Sequence, residues 1–369
     1  MQDLLDTLDV NCFATDYQSA REKFRSTLKS LNPLTPIATE SFNHPLAGPN
    51  GESLTCDVAF IGNPQTATKI YVLMSSTHGV EGFAGSAIQV DCLPYFSQML
   101  ADTPQLGFIV IHTINPWGFA WLRRSDHEGI DINRNFVDFA QALPQTAEQQ
   151  IVFSADDWRE LLSQADLSHL WQDCGLDKFV EGITYGQYVL PDSLFYGGKA
   201  ASWSRLTLEQ ITQHAFISNA NRIVVVDLHT GLGPYGYGEL INDHPPATPG
   251  FAWVDKLFGA NAKSVLQGES CSTVKSGLID YHWYEVIGDR GCFVTLEFGT
   301  YEVEQLLTSL LKEQAYQNSL AENNARRDLS NPHVQALRAF FYPAEKSWQQ
   351  QVLFRGRQIS SLAINGILQ

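Results

Sequence analysis

Short apolar runs alternate along the chain with segments of helical spacing. The runs are rich in β-branched residues and predict buried strands at residues 54–61, 70–74, 107–112, 221–228 and 291–298. Between them, several segments repeat apolar residues every three or four positions, which predicts helices. This alternation predicts an α/β fold in which a mixed, mostly parallel sheet of about eight strands carries helices on both faces.

Three segments fall outside the regular alternation. Residues 31–50 are rich in Pro, Asn and Gly and are predicted to form a loop. Residues 137–220 form a long insertion between two predicted strands, and residues 321–369 form a C-terminal extension. Because no repeat or low-complexity linker divides the sequence, we expect a single domain over residues 1–369.

Polar residues with ligand chemistry follow the predicted strands. His78 and Glu81 lie in a turn of small residues after one strand, His229 ends another, and Glu297 lies inside a third. Because the carboxyl ends of parallel strands meet at one edge of an open sheet, we expect these side chains to converge. Two imidazoles and one carboxylate leave one coordination position open, which is the pattern of a catalytic zinc site.

Each of these residues also has a simpler structural explanation. A His and a Glu three positions apart occur together by chance, and a histidine that ends a strand is often a core residue bonded to the backbone. Glu297 is less ordinary, because an ionised carboxylate is costly to bury in an apolar run. Its side chain either faces solvent by strand alternation or lines a site, where it could act as a general base.

The segment 123–136 has the densest polar composition of the chain. Asn133 and Arg134 combine an amide with a guanidinium fork, and this pair suits the recognition of a carboxylate. Arg123 or Arg124 could direct positive charge at an oxyanion. The alternative for the whole segment is a solvated loop with surface ion pairs.

Composition and charge limit the possible binding partners and the possible cellular compartment of the protein. The 369 residues carry a formal net charge of −16, which argues against nucleic acid or an anionic membrane as the main partner. The six cysteines are scattered without a CxxC pair, and the acidic N-terminus does not have the basic region of a signal peptide. We therefore expect reduced thiols and a cytoplasmic protein.

Taken together, these motifs resemble those of the zinc carboxypeptidases related to carboxypeptidase A. That family has HxxE, Asn-Pro-x-Gly, Asp-x-Asn-Arg-Asn, a lone His after a strand and a Glu in a late strand, in this order. In this chain the same order is given by residues 78–81, 115–118, 131–135, 229 and 297. The chain as a whole resembles an uncharacterised bacterial branch of that clan.

The resemblance implies a role for each matching residue. His78, Glu81 and His229 would bind one zinc ion, and Glu297 would be the general base. Asn133 and Arg134 would hold the substrate's terminal carboxylate, and Asp131 would accept a hydrogen bond from the ring of His78. Arg124 would stabilise the oxyanion, with Arg123 as its close competitor, and Ile279 would line an apolar side-chain pocket.

The chain departs from the family pattern at one position. The family has a mobile Tyr a few residues before a Gly-x-Ile-Asp segment, but the matching position here is near Ser272, and Tyr281 or Tyr284 would have to serve instead.

The sequence therefore predicts a zinc-dependent hydrolase that cleaves an amide bond next to a free carboxylate. The first expectation is a metallocarboxypeptidase that acts on peptides. The second is a deacylase of small N-acyl amino acids, similar to aspartoacylases and desuccinylases, and the third is a non-catalytic binding protein on the same fold. A second metal ion is also considered, with candidate ligands His112, His127, Asp227 and His244.

Overall fold

A computed structural model describes residues 7–144, 155–164 and 167–369 of the chain. Its centre is an eight-stranded mixed sheet with the strand order β1-β2-β4-β3-β5-β8-β6-β7. The strands are β1 (Ile37–Ala47), β2 (Ser53–Ile61), β3 (Lys69–Ser75), β4 (Leu106–His112), β5 (Arg222–Gly231), β6 (Gly238–Asn242), β7 (Ala262–Ser264) and β8 (Gly291–Gly299). Strands β4, β3, β5 and β8 form a parallel centre, as the short apolar runs predicted.

Helices cover both faces of this sheet. They are α1 (Tyr17–Ser30), α2 (Gly82–Leu100), α3 (Pro116–Ala120), α4 (Ala155–Ser163), α5 (Leu176–Thr184), α6 (Trp203–Ile211), α7 (Ala215–Ser218), α8 (Pro249–Phe258), α9 (Asp280–Ile287), α10 (Val303–Glu322), α11 (Pro332–Phe341) and α12 (Lys346–Leu368). Helices α1, α2, α8 and α12 pack on one face, and α6, α7 and α9 pack on the other. The predicted α/β class is confirmed.

Strand alternation divides the core into two layers. On β3, Tyr71 and Leu73 pack in the layer under α2 and α12, whereas Ile70, Val72 and Met74 pack in the layer under α6 and α9. Both faces are buried because both carry helices, which explains why the central strands are continuous apolar runs.

The prediction of a loop at residues 31–50 is wrong. Most of this segment is β1, an edge strand that pairs only with β2 and is largely exposed. An edge strand buries few of its side chains and tolerates Pro, as at Pro45. The strand is therefore polar and does not show the apolar pattern that predicts a buried strand.

The predicted insertion packs against the C-terminal helices. Side chains from α5 and from the residues that precede it form a third hydrophobic cluster with α10 and α11. Residues 145–154 and 165–166 of the insertion lie outside the described residues. The single-domain organisation stays a prediction. Among the described helices, none is both long and apolar enough to cross a membrane.

The C-terminal extension is fixed to the sheet by Trp348 of α12. The indole is fully buried, and its Nε1 donates a hydrogen bond to the carbonyl of Gly299 (2.9 Å), at the end of β8. The extension therefore supports the strand that carries Glu297.

Trp348→Ala is expected to destabilise the fold by about 3–5 kcal/mol, because it empties a large buried site and removes this hydrogen bond. Equilibrium urea unfolding measures the change. Phe354→Ala in the same helix is the matched control, since Phe354 is 42% exposed and should have a small effect. Equal effects of the two substitutions would contradict the proposed anchoring.

Candidate metal centre

A tight turn after β3 places His78 and Glu81 at the carboxyl edge of the sheet. One turn of 3-10 helix, Gly79–Glu81, leads directly into α2. Gly79 has no room for a side chain, because a Cβ atom there would lie 2.1 Å from the backbone carbonyl carbon of Gly118. This close backbone contact explains the glycine in the turn, whereas a Cβ atom at Gly118 would lie 2.6 Å from Nδ2 of Asn115 and 2.7 Å from the carbonyl oxygen of Ser125.

Glu81 lies between two imidazole rings. Its Oε1 atom is 2.9 Å from Nδ1 of His78, and its Oε2 atom is 3.4 Å from Nδ1 of His229. All three side chains are buried, and one ligand atom from each lies within 4.8 Å of the others. Two imidazoles and a carboxylate fit the donor set of a catalytic zinc ion, so these three residues could hold one.

Both histidines are oriented by a carboxylate on their outer side. His78 Nε2 lies 3.1 Å from Asp131 Oδ1, and His229 Nε2 lies 2.7 Å from Asp227 Oδ2. Outer carboxylates of this kind fix the orientation of a ligand imidazole and make it more basic. They turn both Nδ1 atoms toward Glu81.

The sequence reasoning anticipated Asp131 but missed this role of Asp227. The signal was present, because Asp227 and His229 are two positions apart on β5 and therefore share a face of the strand. Thr77 Oγ1 also donates a hydrogen bond to Asp227 Oδ2 (2.8 Å), which ties β5 to the end of β3.

Opposite charges in this buried site hold one another ionised. Burial acts to raise the pKa of Glu81, but the imidazoles of His78 and His229 outweigh it and hold the pKa below its ordinary value. Burial likewise opposes ionisation of Asp131, but nearby cations hold the pKa of Asp131 well below its usual range, and Arg124 contributes most to this lowering. Burial acts to lower the pKa of His229, yet neighbouring carboxylates raise it well above the usual value.

Glu297 faces the same centre from the adjacent strand. It pairs in register with His229 across β5 and β8, is buried, and lines the same cavity as the ligands. Its Oε1 accepts a hydrogen bond from the backbone N–H of Leu232 (2.9 Å). Burial and the nearby carboxylate of Glu81 raise the pKa of Glu297 to about 7. A carboxylate in this setting can accept a proton near neutral pH.

The structure separates the two adjacent arginines. Arg124 lines the cavity, its guanidinium lies 2.7 Å from His78 Nε2, and it stacks 4.7 Å from the ring centre of Phe195. Arg123 points the other way, and its Nε lies 3.2 Å from Glu313 Oε1 of α10. Arg123 is not among the residues that line the cavity, and its side chain ties the loop to α10.

Asn133 and Arg134 both line the cavity. Asn133 Oδ1 accepts a hydrogen bond from the backbone N–H of Ile279 (2.9 Å). Arg134 donates from Nε and Nη2 to the carbonyl of Thr184 and from Nη1 to the carbonyl of Asn133. Of its five N–H groups these bonds use three, so each terminal nitrogen keeps one donor for a ligand. Thr184 belongs to the insertion, which therefore positions this guanidinium.

The position of Ile279 differs from the expectation. Its side chain is fully buried in the core layer with Ile132 and Trp283 and does not line the cavity. Its neighbours Leu278 and Asp280 line the cavity instead. The chain starts α9 here, so consecutive side chains diverge around a helix axis and only some of them face the site.

Neither tyrosine considered for the mobile position lines the cavity. Tyr281 is partly exposed and donates a hydrogen bond to the carbonyl of Lys275 (3.3 Å), and Tyr284 stacks on His244. Ser272 and Lys275 line the cavity at this place. Burial lowers the pKa of Lys275 to about 8.

The residues considered for a second metal have other contacts. Asp227 orients His229, as described above. His112 Nε2 lies 2.9 Å from Ser86 Oγ, and the ring of His127 packs against that of His44. His244 Nε2 accepts a backbone N–H bond. Within the described part of the chain, the group around Glu81 is the one set of three or more such side chains close enough to hold a metal.

The cavity at this centre has a volume of about 440 Å³ and has walls of two kinds. Its lining also includes Asp280, the last residue of the Gly-x-Ile-Asp segment, and Asp243 and Lys275, for which the sequence analysis made no prediction. Apolar side chains of α10 and α11 also line the cavity, and α5 contributes Val180 together with the polar residues Asp177 and Thr184. These contributions depend on long-range packing that no local pattern shows.

Solved structures with similar folds include carboxypeptidase A from Helicoverpa armigera, at 11% identity and a TM-score of 0.47, covering 88% of this chain and 74% of that one. An aspartoacylase family protein from Mesorhizobium loti matches at 13% identity and a TM-score of 0.37, covering 80% and 69%. Succinylglutamate desuccinylase from Chromobacterium violaceum matches at 14% identity and a TM-score of 0.36, covering 88% and 74%. With TM-scores below 0.5, these similarities assign no function.

A comparison with curated proteins found no match. The model of one protein family, DUF2817, described as a protein of unknown function, matches residues 13–355. Because this match spans most of the sequence, the chain belongs to the DUF2817 family.

Proposed function

We propose that the chain is a zinc-dependent hydrolase that cleaves an amide bond next to a free carboxylate, and that it removes the C-terminal residue of peptides. The observation that carries the proposal is the position of Glu297 in register with His229, beside a carboxylate held between two imidazole Nδ1 atoms. His78, Glu81 and His229 would hold the zinc ion, which would supply Lewis acidity toward a carbonyl oxygen and would lower the pKa of water toward neutrality.

The surrounding side chains bind the substrate, transfer the proton and stabilise the transition state. Asn133 and Arg134 bind the substrate carboxylate through the amide and through the two unused N–H groups of the guanidinium. Glu297 takes a proton from the attacking water and passes it to the leaving nitrogen. The guanidinium of Arg124 stabilises negative charge on the carbonyl oxygen in the transition state.

Glu297→Gln is expected to lower kcat by about 10²–10⁴-fold, because the amide keeps the shape of the side chain but cannot accept the proton. Zinc content, measured by elemental analysis of the purified variant, should equal that of the wild type. Near-normal turnover by a variant that retains zinc would show that the assigned base is wrong.

The two arginines provide a matched pair of substitutions. Arg124→Gln is expected to lower kcat by about 10²–10³-fold, the usual loss when one oxyanion donor is removed. Arg123→Gln should mainly lower the midpoint of thermal unfolding, since it breaks a buried contact with Glu313, and neither residue lines the cavity. Steady-state kinetics and thermal melts of both variants test the assignment, which a larger kcat loss for Arg123→Gln would overturn.

The size of the cavity favours a second candidate, a deacylase of small N-acyl amino acids. A volume of about 440 Å³ is in the range of small-molecule sites, and such substrates also present a carboxylate to Asn133 and Arg134. The two candidates predict opposite ratios of kcat/KM for short peptides and for N-acetyl amino acids with the same C-terminal residue. Hydrolysis of neither class by zinc-loaded protein would contradict both.

A further inference from the structure

One wall of the cavity is apolar and is built outside the central sheet. Its side chains come from α10 and α11, and we call them the apolar chamber: Val303, Leu306, Leu307, Leu310 and Phe341. The polar residues Asp177 and Thr184 of α5 and Glu302 also line the cavity. The four α10 residues are spaced at i, i+3, i+4 and i+7, so they form one stripe of that helix. This stripe faces a cavity that also contains the metal ligands.

The chamber lies against the metal ligands. Thr230 joins the two, because its backbone N–H donates to Glu81 Oε2 (3.0 Å) and its Oγ1 donates to the carbonyl of Phe341 (2.9 Å). Gly231 allows this closeness, since a Cβ atom there would lie 2.9 Å from the ring of Phe341.

The carboxylate-binding pair lines the same cavity but is held by other elements, since Arg134 is bonded to Thr184 of α5. Asn133 is bonded to the backbone of Ile279, and the adjoining residues Leu278 and Asp280 line the cavity there. A substrate whose carboxylate is held by Asn133 and Arg134, with its amide at His78, Glu81 and His229, can extend its acyl portion toward the chamber, because Thr230 joins Glu81 to Phe341.

We propose that the apolar chamber binds the acyl portion of the substrate and selects an aliphatic acyl group. This inference rests on the proposed function for the position of the amide, and it favours the second candidate, a deacylase of N-acyl amino acids. Hydrolysis then joins the oxygen of water to the acyl carbon, breaks the C–N bond and places a proton on the leaving nitrogen, so the products are an aliphatic carboxylic acid and a free amino acid or peptide residue. The driving force is removal of the chain from water, which requires no specific hydrogen bonds.

The first test is a series of N-acetyl, N-butyryl, N-hexanoyl and N-octanoyl derivatives of the amino acid whose acetyl derivative is hydrolysed fastest. We expect kcat/KM to rise by about fourfold per methylene until the chamber is filled, which corresponds to about 0.8 kcal/mol per buried CH₂. A profile that is flat or falls with acyl length would overturn the inference.

A matched pair of variants tests whether the chamber determines the preferred acyl length. Leu310 and Leu311 are adjacent on α10 and belong to the same hydrophobic cluster, but of the two only Leu310 lines the cavity. Leu310→Ala should shift the preferred acyl length upward, whereas Leu311→Ala should lower thermal stability and leave the profile unchanged. The same shift in both variants would show that the profile reports general loosening of the fold and would overturn the inference.

A measurement of ligand binding distinguishes failure of the inference from failure of the proposed function. Calorimetry of the Glu297→Gln protein should give tighter binding and a more negative heat-capacity change for the N-octanoyl ligand than for the N-acetyl ligand. Tight octanoyl binding without hydrolysis by the wild type would support the chamber and contradict the hydrolase assignment. Equal affinities in an active enzyme would contradict the chamber alone.

Discussion

The site depends on the burial of several carboxylates at one edge of the sheet. Glu81, Asp131, Asp227 and Glu297 are all at least nine-tenths buried, and buried negative charge is stable only beside positive charge or donated hydrogen bonds. Arg124 and the two ligand histidines supply part of that compensation. A divalent cation between the Nδ1 atoms would complete it, which gives the predicted zinc ion an electrostatic role as well as a catalytic one.

In this fold, parallel strands place these residues at the carboxyl edge of the sheet. The His78–Glu81 turn follows β3, His229 lies two residues before the end of β5, and β8 carries Glu297 in register beside it. Helices on both faces bury these strands, so the residues of the site stand on a fully packed sheet. The insertion and the C-terminal helices then add the upper walls, where the carbonyl of Thr184 holds Arg134 and the stripe of α10 forms the apolar chamber.

The sequence predicted those parts of the site that depend on local pattern. Apolar runs ending in polar residues located His78, Glu81, His229 and Glu297, because strand burial and strand ends leave a periodic signal. The choice between Arg123 and Arg124 did not follow, since it depends on the path of a loop relative to α10. Long-range packing likewise brings Phe195 of the insertion onto Arg124, a contact without a sequence signal.

The most direct test is a crystal structure of the protein prepared with zinc, with anomalous diffraction measured on both sides of the zinc absorption edge. The account predicts a single strong anomalous peak bonded to Nδ1 of His78, to Nδ1 of His229 and to the carboxylate of Glu81, with Glu297 facing its open side. An anomalous map with no peak among these residues, or with zinc bound only elsewhere, would contradict it.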